Sequence, residues 1–339
     1  MGNSSTRATS SARTEISGIT SSDLSESRKR RLFELRLLHQ YSTKTCFHII
    51  VDPKSDPVAL EIWQIAVPNV AFENDALLYS LYAFAALHLA KTEPYNQETL
   101  ETYRDYLDQA VREHNNDVTN LSRVNADAAC LTSNFFRLAA FAIIQERELT
   151  PYTPPAQWLR MTRGGGDVHR AAWRWIEFDE ASVSMRLVRI FPVVTDPDAL
   201  YTEDHQQGLL HLLHRSQDHQ ATELWSADVQ AAYSGAISVI GSTLKAIVAQ
   251  DRRTNICRRL ITFPMLIPER YMELVLEMRP RALVILAHFF FLLTRFTDIW
   301  WIGDTGPREV RGIKTVLSGE WLDMLNWSIT NMEEQIADQ

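Results

Sequence analysis

Cysteine is scarce in this 339-residue chain: Cys46, Cys130 and Cys257 are the only three, widely spaced and odd in number. That excludes a disulfide framework and a zinc ribbon, and it fits a reducing compartment. Long apolar runs are scarce too. None approaches the twenty residues of a bilayer-spanning helix, and the chain opens with no apolar leader, so neither a span nor a signal peptide is expected. Strand-like alternation of useful length and internal repeats are both missing. Positive charge is not in excess either. A net charge of −8 and a pI near 5.7 argue against a protein that grips nucleic acid by overall electrostatics. The expectation left standing is a soluble, intracellular, all-α protein.

What is present begins with RPRALVILAHFFFLLTRFTDIWW, residues Arg279–Trp301. From Ala282 to Leu293 every residue is apolar except His288. A helix apolar all round is a membrane span or the buried axis of a helical domain. This one is too short to cross a bilayer, and Arg279, Arg281 and Arg295 bracket it, so a core helix is expected. Ala76–Ala90 is similar, with Ser80 and His88 its strong polar points, and Asn74 or Asp75 caps it. Residues 1–22 are Ser/Thr/Gly-rich and read as a disordered tail. The domain spans 23–335. Asp23–Glu26 has capping-box spacing and starts a helix that turns Leu32, Leu35, Leu38 and Tyr41 inward and exposes Arg28–Arg31. Three- and four-residue apolar steps predict helices over Glu98–Asn115 and Ala126–Arg147. Pro151, Pro154 and Pro155 then break the chain. Further helices are expected from Val168 to Phe191, from Thr202 to Gln250, after Pro268, after Pro280 and over Arg308–Thr330. The architecture predicted is a single multi-helix, bundle-like domain with two central apolar helices.

Leu37–Ile49, Ile62–Ala90 and Asn125–Ala142 resemble the regulatory domain of fungal binuclear-zinc-cluster transcription factors, in the branch typified by the sterol uptake control proteins. The WxxxVPxxAF block (Trp63, Val67, Pro68, Ala71, Phe72) carries part of the likeness. The Arg279–Ile313 segment followed by Trp321 looks like that branch's C-terminal signature. The resemblance implies an all-helical effector domain that binds a sterol-like ligand in an apolar cavity and regulates transcription, in the nucleus or cytoplasm, through other regulators or a homodimer partner. It implies a ligand site near the C-terminal part of the domain. The expected contacts are Phe84, His88, His288, Phe291, Trp300, Trp301, Gly303, Asp304 and Trp321. The family's DNA-reading module needs six closely spaced cysteines. Three scattered ones cannot build it, so direct DNA binding by these residues is not expected. Either the finger has been lost, or the gene product is read too short.

Other constellations weigh less. His205, His211, His214 and His219 crowd one stretch, with Glu203 or Asp204 as further donors, but no HEXXH-like spacing supports a metal, and a solvated helical face is the simpler reading. The Arg163–Asp167 glycine loop opens a helix but lacks the Lys-Ser/Thr of a phosphate loop. Asp196, Asp198, Glu203 and Asp204 form an acidic patch without a DDxxD run. Gly2 lies in an N-myristoylation pattern, and Arg28–Arg31 is a basic stretch that fits either an import signal or an exposed helix turn. No catalytic set, metal or cofactor is assigned. The rival to a ligand sensor is a lipid- or terpenoid-modifying enzyme, which would need polar groups converging on the cavity, such as Asp304, His288 or Arg295 facing a common point.

Overall fold

The apolar periodicity becomes a succession of helices in the computed structural model, which describes residues 21–92, 97–191, 196–216, 223 and 225–337. Among the described residues there is no strand. The helices of eight residues or more are α1 (Ser21–Gln40), α2 (Asp75–Thr92), α3 (Gln97–Thr119), α4 (Ala126–Ile143), α5 (Ala156–Ile176), α6 (Val183–Ile190), α7 (Ala227–Val248), α8 (Arg253–Leu266), α9 (Glu269–Leu276), α10 (Pro280–Leu292), α11 (Thr305–Val316) and α12 (Glu320–Ala337). The all-α expectation holds.

The two apolar helices each form the axis of a separate group. Around α2 stand α3, α4, the end of α1 and the wound segment 41–71. Around α10 stand α7, α9, α11 and α12. The α4–α5–α8 stack joins the groups, and one buried cluster runs through both, from Leu37 to Leu325. Every residue of α10 from Arg281 to Leu292 is buried, as no water-facing side on this helix predicts. Each large apolar side chain so buried contributes roughly 1.5–3 kcal/mol, which holds helices that propensity alone would not. Two other helical stretches, Ala126–Glu146 and Ala227–Val248, match a membrane span in length and mean hydropathy (1.3), but 83% and 72% of them is buried inside the protein. They are core helices.

Several boundaries differ from expectation, each for a local reason. At the end of α1 and just beyond it Leu37 and Tyr41 are buried, with Phe33 and Leu38 half-buried against the same cluster, so Tyr41 turns inward as expected while Leu32 and Leu35 are 43% and 62% exposed. The Arg163–Asp167 segment is no loop: it is the middle of α5, where a Cβ on Gly165 would sit 3.5 Å from Ser133 and one on Gly166 3.1 Å from Met265. Close approach to α4 and α8 offsets the poor helix propensity of glycine. The expected helix 168–191 is interrupted before Ser182, whose hydroxyl caps α6 by accepting from the Met185 N–H at 3.1 Å. Asp127 on α4 reinforces that start, accepting from the N–H groups of Val183 and Ser184 at 2.8 Å each.

The expected helix 202–250 is broken into Glu203–Gln206, a 3-10 turn at Leu210–Leu213, and α7. Gly241 on α7 admits the first of these, since a Cβ there would stand 1.7 Å from the His205 carbonyl oxygen. α8 escaped the sequence reading because Pro264 lies in its last turn. The helix expected over Arg308–Thr330 is two, α11 and α12, divided at Leu317–Gly319 where Gly319 takes φ +54°.

Candidate functional site

The candidate contacts divide between the two helical groups. His88 on α2 is 2% exposed, and its Nδ1 meets the Thr45 hydroxyl at 2.9 Å. Its ring stacks on Trp300, with centroids 4.6 Å apart, and His48 approaches edge-on at 5.0 Å. Phe84, one turn earlier, packs against Trp300 at 5.3 Å and Phe135 at 5.6 Å. Burial, then the nearby His48 and Lys44 charges, hold the His88 pKa down to about 4, so the ring is neutral.

The loop after α10 makes this contact. The Trp301 indole N–H donates to the His48 carbonyl at 3.2 Å, and its ring lies edge-on to Phe141 at 5.8 Å. The Gln145 amide donates to the Trp300 carbonyl at 2.9 Å, while the buried Trp300 indole N–H has no partner. Gly303 turns the chain away with φ +48°, and a Cβ there would stand 2.3 Å from the Gln145 side chain. Asp304 is exposed at the start of α11.

His288 occupies a different setting. It is 0% exposed on α10, with Nδ1 2.7 Å from the Val284 carbonyl one turn back. A carbonyl only accepts, so Nδ1 carries the proton and Nε2 presents a bare lone pair. That Nε2 is buried without a partner. Burial holds the pKa down to about 4; the Val284 hydrogen bond raises it and His211 lowers it. The His211 ring lies 6.5 Å away by centroids. Phe291 is 7% exposed, whereas Phe289 and Phe290 join an aromatic stack in which Phe289 lies 4.0 Å from Phe263 and 5.6 Å from Trp158. The three phenylalanines thus point apart, as helical spacing requires.

Two turns before His288, Arg281 is wholly buried. Its Nε and Nη2 donate to the two Glu223 carboxylate oxygens at 2.7 and 2.9 Å, and Nη1 donates to the Leu212 and His214 carbonyls. The cation lies between the rings of Trp225, at 5.3 Å, and Trp321, at 5.0 Å. The sequence reading took Arg281 as a flank. Its role as the clamp that ties α10 to the preceding segment depends on Glu223, 58 residues away, which no local signal reveals.

The other constellations weighed in the sequence lie apart. Among the described residues no three His, Cys, Asp or Glu side chains form a metal-holding group, and His219 lies outside them, as does Gly2. His205 meets the Leu200 carbonyl through Nδ1 at 2.8 Å, His211 is half-buried and His214 exposed. Asp196, Asp198, Glu203 and Asp204 are all exposed, and Asp204 holds Lys245. His288 is buried while Arg295 and Asp304 are exposed, so these three do not face one point. All three thiols are buried, and burial pushes those of Cys46 and Cys130 up to about 11 and about 12.

Residues 36–141 match the family described as fungal specific transcription factor domain. The chain is 31% identical over 258 residues to the Zn(2)-C6 fungal-type transcription factor afumD of Aspergillus fumigatus, covering 76% of this chain and 66% of that one. It is 29% identical to a Zn(2)-C6 fungal-type transcription factor of Gibberella zeae, covering 91% of this chain and 67% of the relative. Sterol uptake control protein 2 of Saccharomyces cerevisiae is 24% identical over 81% of this chain. The chain spans about two thirds of the first two relatives and 29% of the third.

Proposed function

We propose, for a chain that belongs through residues 36–141 to the fungal specific transcription factor domain family, a transcriptional regulator whose helical domain takes an apolar, hydroxyl-bearing ligand of the sterol class against His288. The names of the relatives support regulation of transcription, and two of them are called sterol uptake control proteins. The observation that carries the ligand is the bare Nε2 of His288, a buried acceptor on an otherwise apolar helix. Buried polar groups are almost always answered, and a sterol's single hydroxyl is the donor that an apolar site with one fixed polar contact accepts.

Ligand sites of this class enclose roughly 300–1,000 Å³. The recess at Arg123, Arg174, Trp175, Phe178 and Asp179 encloses about 160 Å³ and is too small. Since α10 is buried along its length, entry requires at least one of the helices packed around it, α7, α9, α11 or α12, to part from it, which couples occupancy to the packing of this group.

Action on transcription puts the working protein in the nucleus, and the exposed Arg28–Arg31 on α1 suits import. Promoter contact comes from a partner regulator or from sequence beyond these residues, because three separated buried thiols hold no zinc cluster.

Melting the purified chain with and without ergosterol, with mass spectrometry of the lipids it carries, tests this reading. Ligand at a hundredfold excess over Kd raises stability by about 2.7 kcal/mol. No shift with ergosterol or any extracted lipid would leave a protein-interaction role alone, and conversion of the lipid would argue for an enzyme.

A further inference from the structure

The two most exposed large apolar side chains among the described residues are Val124, at 95%, and Phe178, at 86%. Val124 lies in the turn from α3 to α4, and Phe178 in the turn from α5 to α6. These turns meet at a surface recess of about 160 Å³ lined by Arg123, Arg174, Trp175, Phe178 and Asp179. Trp175 also packs, with Leu121, on a small core of Ala126, Cys130, Ala172 and Ile176 that is separate from the main cluster. Both turns are pinned. The Asn125 side-chain oxygen accepts from the Ser122 N–H at 2.8 Å, and the Ala126 N–H donates to the Ser122 carbonyl at 2.9 Å. Asp179 accepts from the Ala181 N–H through its carboxylate at 3.0 Å and from the Ser182 N–H through its carbonyl at 3.1 Å. Apolar side chains held out on fixed turns have no route into the core.

The recess also carries charge of one sign to spare. The Arg174 guanidinium lies 3.8 Å over the Trp175 ring. A guanidinium stacked in this way keeps its N–H edges for acceptors in its own plane. Among the described residues neither Arg123 nor Arg174 has a carboxylate within ion-pair distance, whereas Arg170 pairs with Asp167 and Arg186 with Glu61. Carboxylates are not in short supply in a chain of 42 acidic and 34 basic residues. The one in the recess, on Asp179, is engaged by its own turn.

Exposed aromatic rings beside unpaired arginines are the composition of a binding hot spot. We propose that this recess docks an acidic segment of a partner protein, whose carboxylates meet Arg123 and Arg174 while one large apolar side chain enters beside Trp175 and Phe178. Size fixes the single anchor: an apolar cavity of about 150 Å³ takes up one benzene ring. Charge fixes the rest, since arginine clusters read acidic motifs. A second copy docked about a two-fold axis would bring Arg123 and Arg174 towards their own counterparts, a like-charge contact that disfavours it. Nothing in this surface depends on His288, which lies on α10.

The test follows the indole N–H signal of Trp175 in the 15N-labelled full chain, assigned through Trp175→Phe, as a peptide is added to low millimolar concentration. The probe is the blocked peptide Asp-Asp-Phe-Asp-Asp, with Asp-Asp-Ala-Asp-Asp and Lys-Lys-Phe-Lys-Lys as controls. The expected result is a saturable shift of Trp175 with the probe alone, while Trp158 and Trp301, buried in the main core, hold still. Arg123→Glu and Phe178→Ser each weaken the apparent affinity by at least about tenfold. Both are surface changes and leave Tm nearly where it was. No saturable shift at Trp175, an equal response to either control, or binding that survives both variants overturns the proposal. Sedimentation of the chain alone covers the second copy: a dimer that Phe178→Ser dissolves overturns it in favour of self-association.

Discussion

On α2 the buried histidine is finished internally. Its Nδ1 has the Thr45 hydroxyl, and its ring lies on Trp300, delivered by the loop that follows α10. On α10 the buried histidine is left half-finished, with Nδ1 turned back on its own helix and Nε2 facing no donor. Composition does not separate the two helices, since both are apolar apart from such interruptions. Their surroundings do. The first group uses its histidine to fix the C-terminal loop to α2, which is structure. The second keeps an acceptor unpaired at its axis, at a cost of about 1–3 kcal/mol in lost desolvation, and a cost of that size marks a place where function competes with packing.

The largest expected effect breaks the second group at its clamp. Arg281→Ala takes the bidentate partner from Glu223, leaving it only Arg215 at 3.5 Å, and should cost about 3 kcal/mol in urea unfolding. A loss under about 1 kcal/mol would mean that the ion pair does not secure α10. Acid acts on both groups. Buried His88 and His288 titrate near 4 when folded and near 6.5 when exposed. Between those values the unfolded chain binds protons that the folded chain refuses, so stability falls as pH drops from about 6.5 and levels off below about 4. Each ring contributes up to about 3 kcal/mol to that loss, and leucine at either position should remove its share from a series of melts across this range.

At neutral pH the two substitutions should part company. His88→Leu strands the Thr45 hydroxyl and loses the stack on Trp300, for about 1–3 kcal/mol. His288→Leu removes an unanswered nitrogen and should fall within about 1 kcal/mol of wild type. Equal losses would erase the distinction between the groups. Smallest is Gly303→Ala, where a left-handed φ and the pliable Gln145 side chain set a cost of about 1 kcal/mol, measured by Tm.

The helices with unbroken three- and four-residue patterns, α2, α3, α4 and α10, were legible in the sequence, as was Pro280 in the first turn of α10. The central burial of α2 and α10 followed from having no polar face. What escaped was tertiary. Leu32 and Leu35 stay exposed, whereas Leu37 and Tyr41 enter the core where α1 packs on α2, a choice of face that the neighbouring helix sets. The glycines of α5 read as a loop because their reason lies on α4 and α8. The resemblance and their apolar settings made His88 and His288 candidate contacts, but the Thr45 and Trp300 partners that separate His88 from His288 lie 43 and more residues away, where no local pattern encodes them.

The most direct measurement is the 15N NMR spectrum of the histidine rings with ergosterol titrated in. The account predicts that His288 is protonated at Nδ1, and that its Nε2 resonance moves upfield on binding while His88 holds still. An unmoved His288 in protein that has taken up the sterol, or a His288 protonated at Nε2 from the outset, would contradict it.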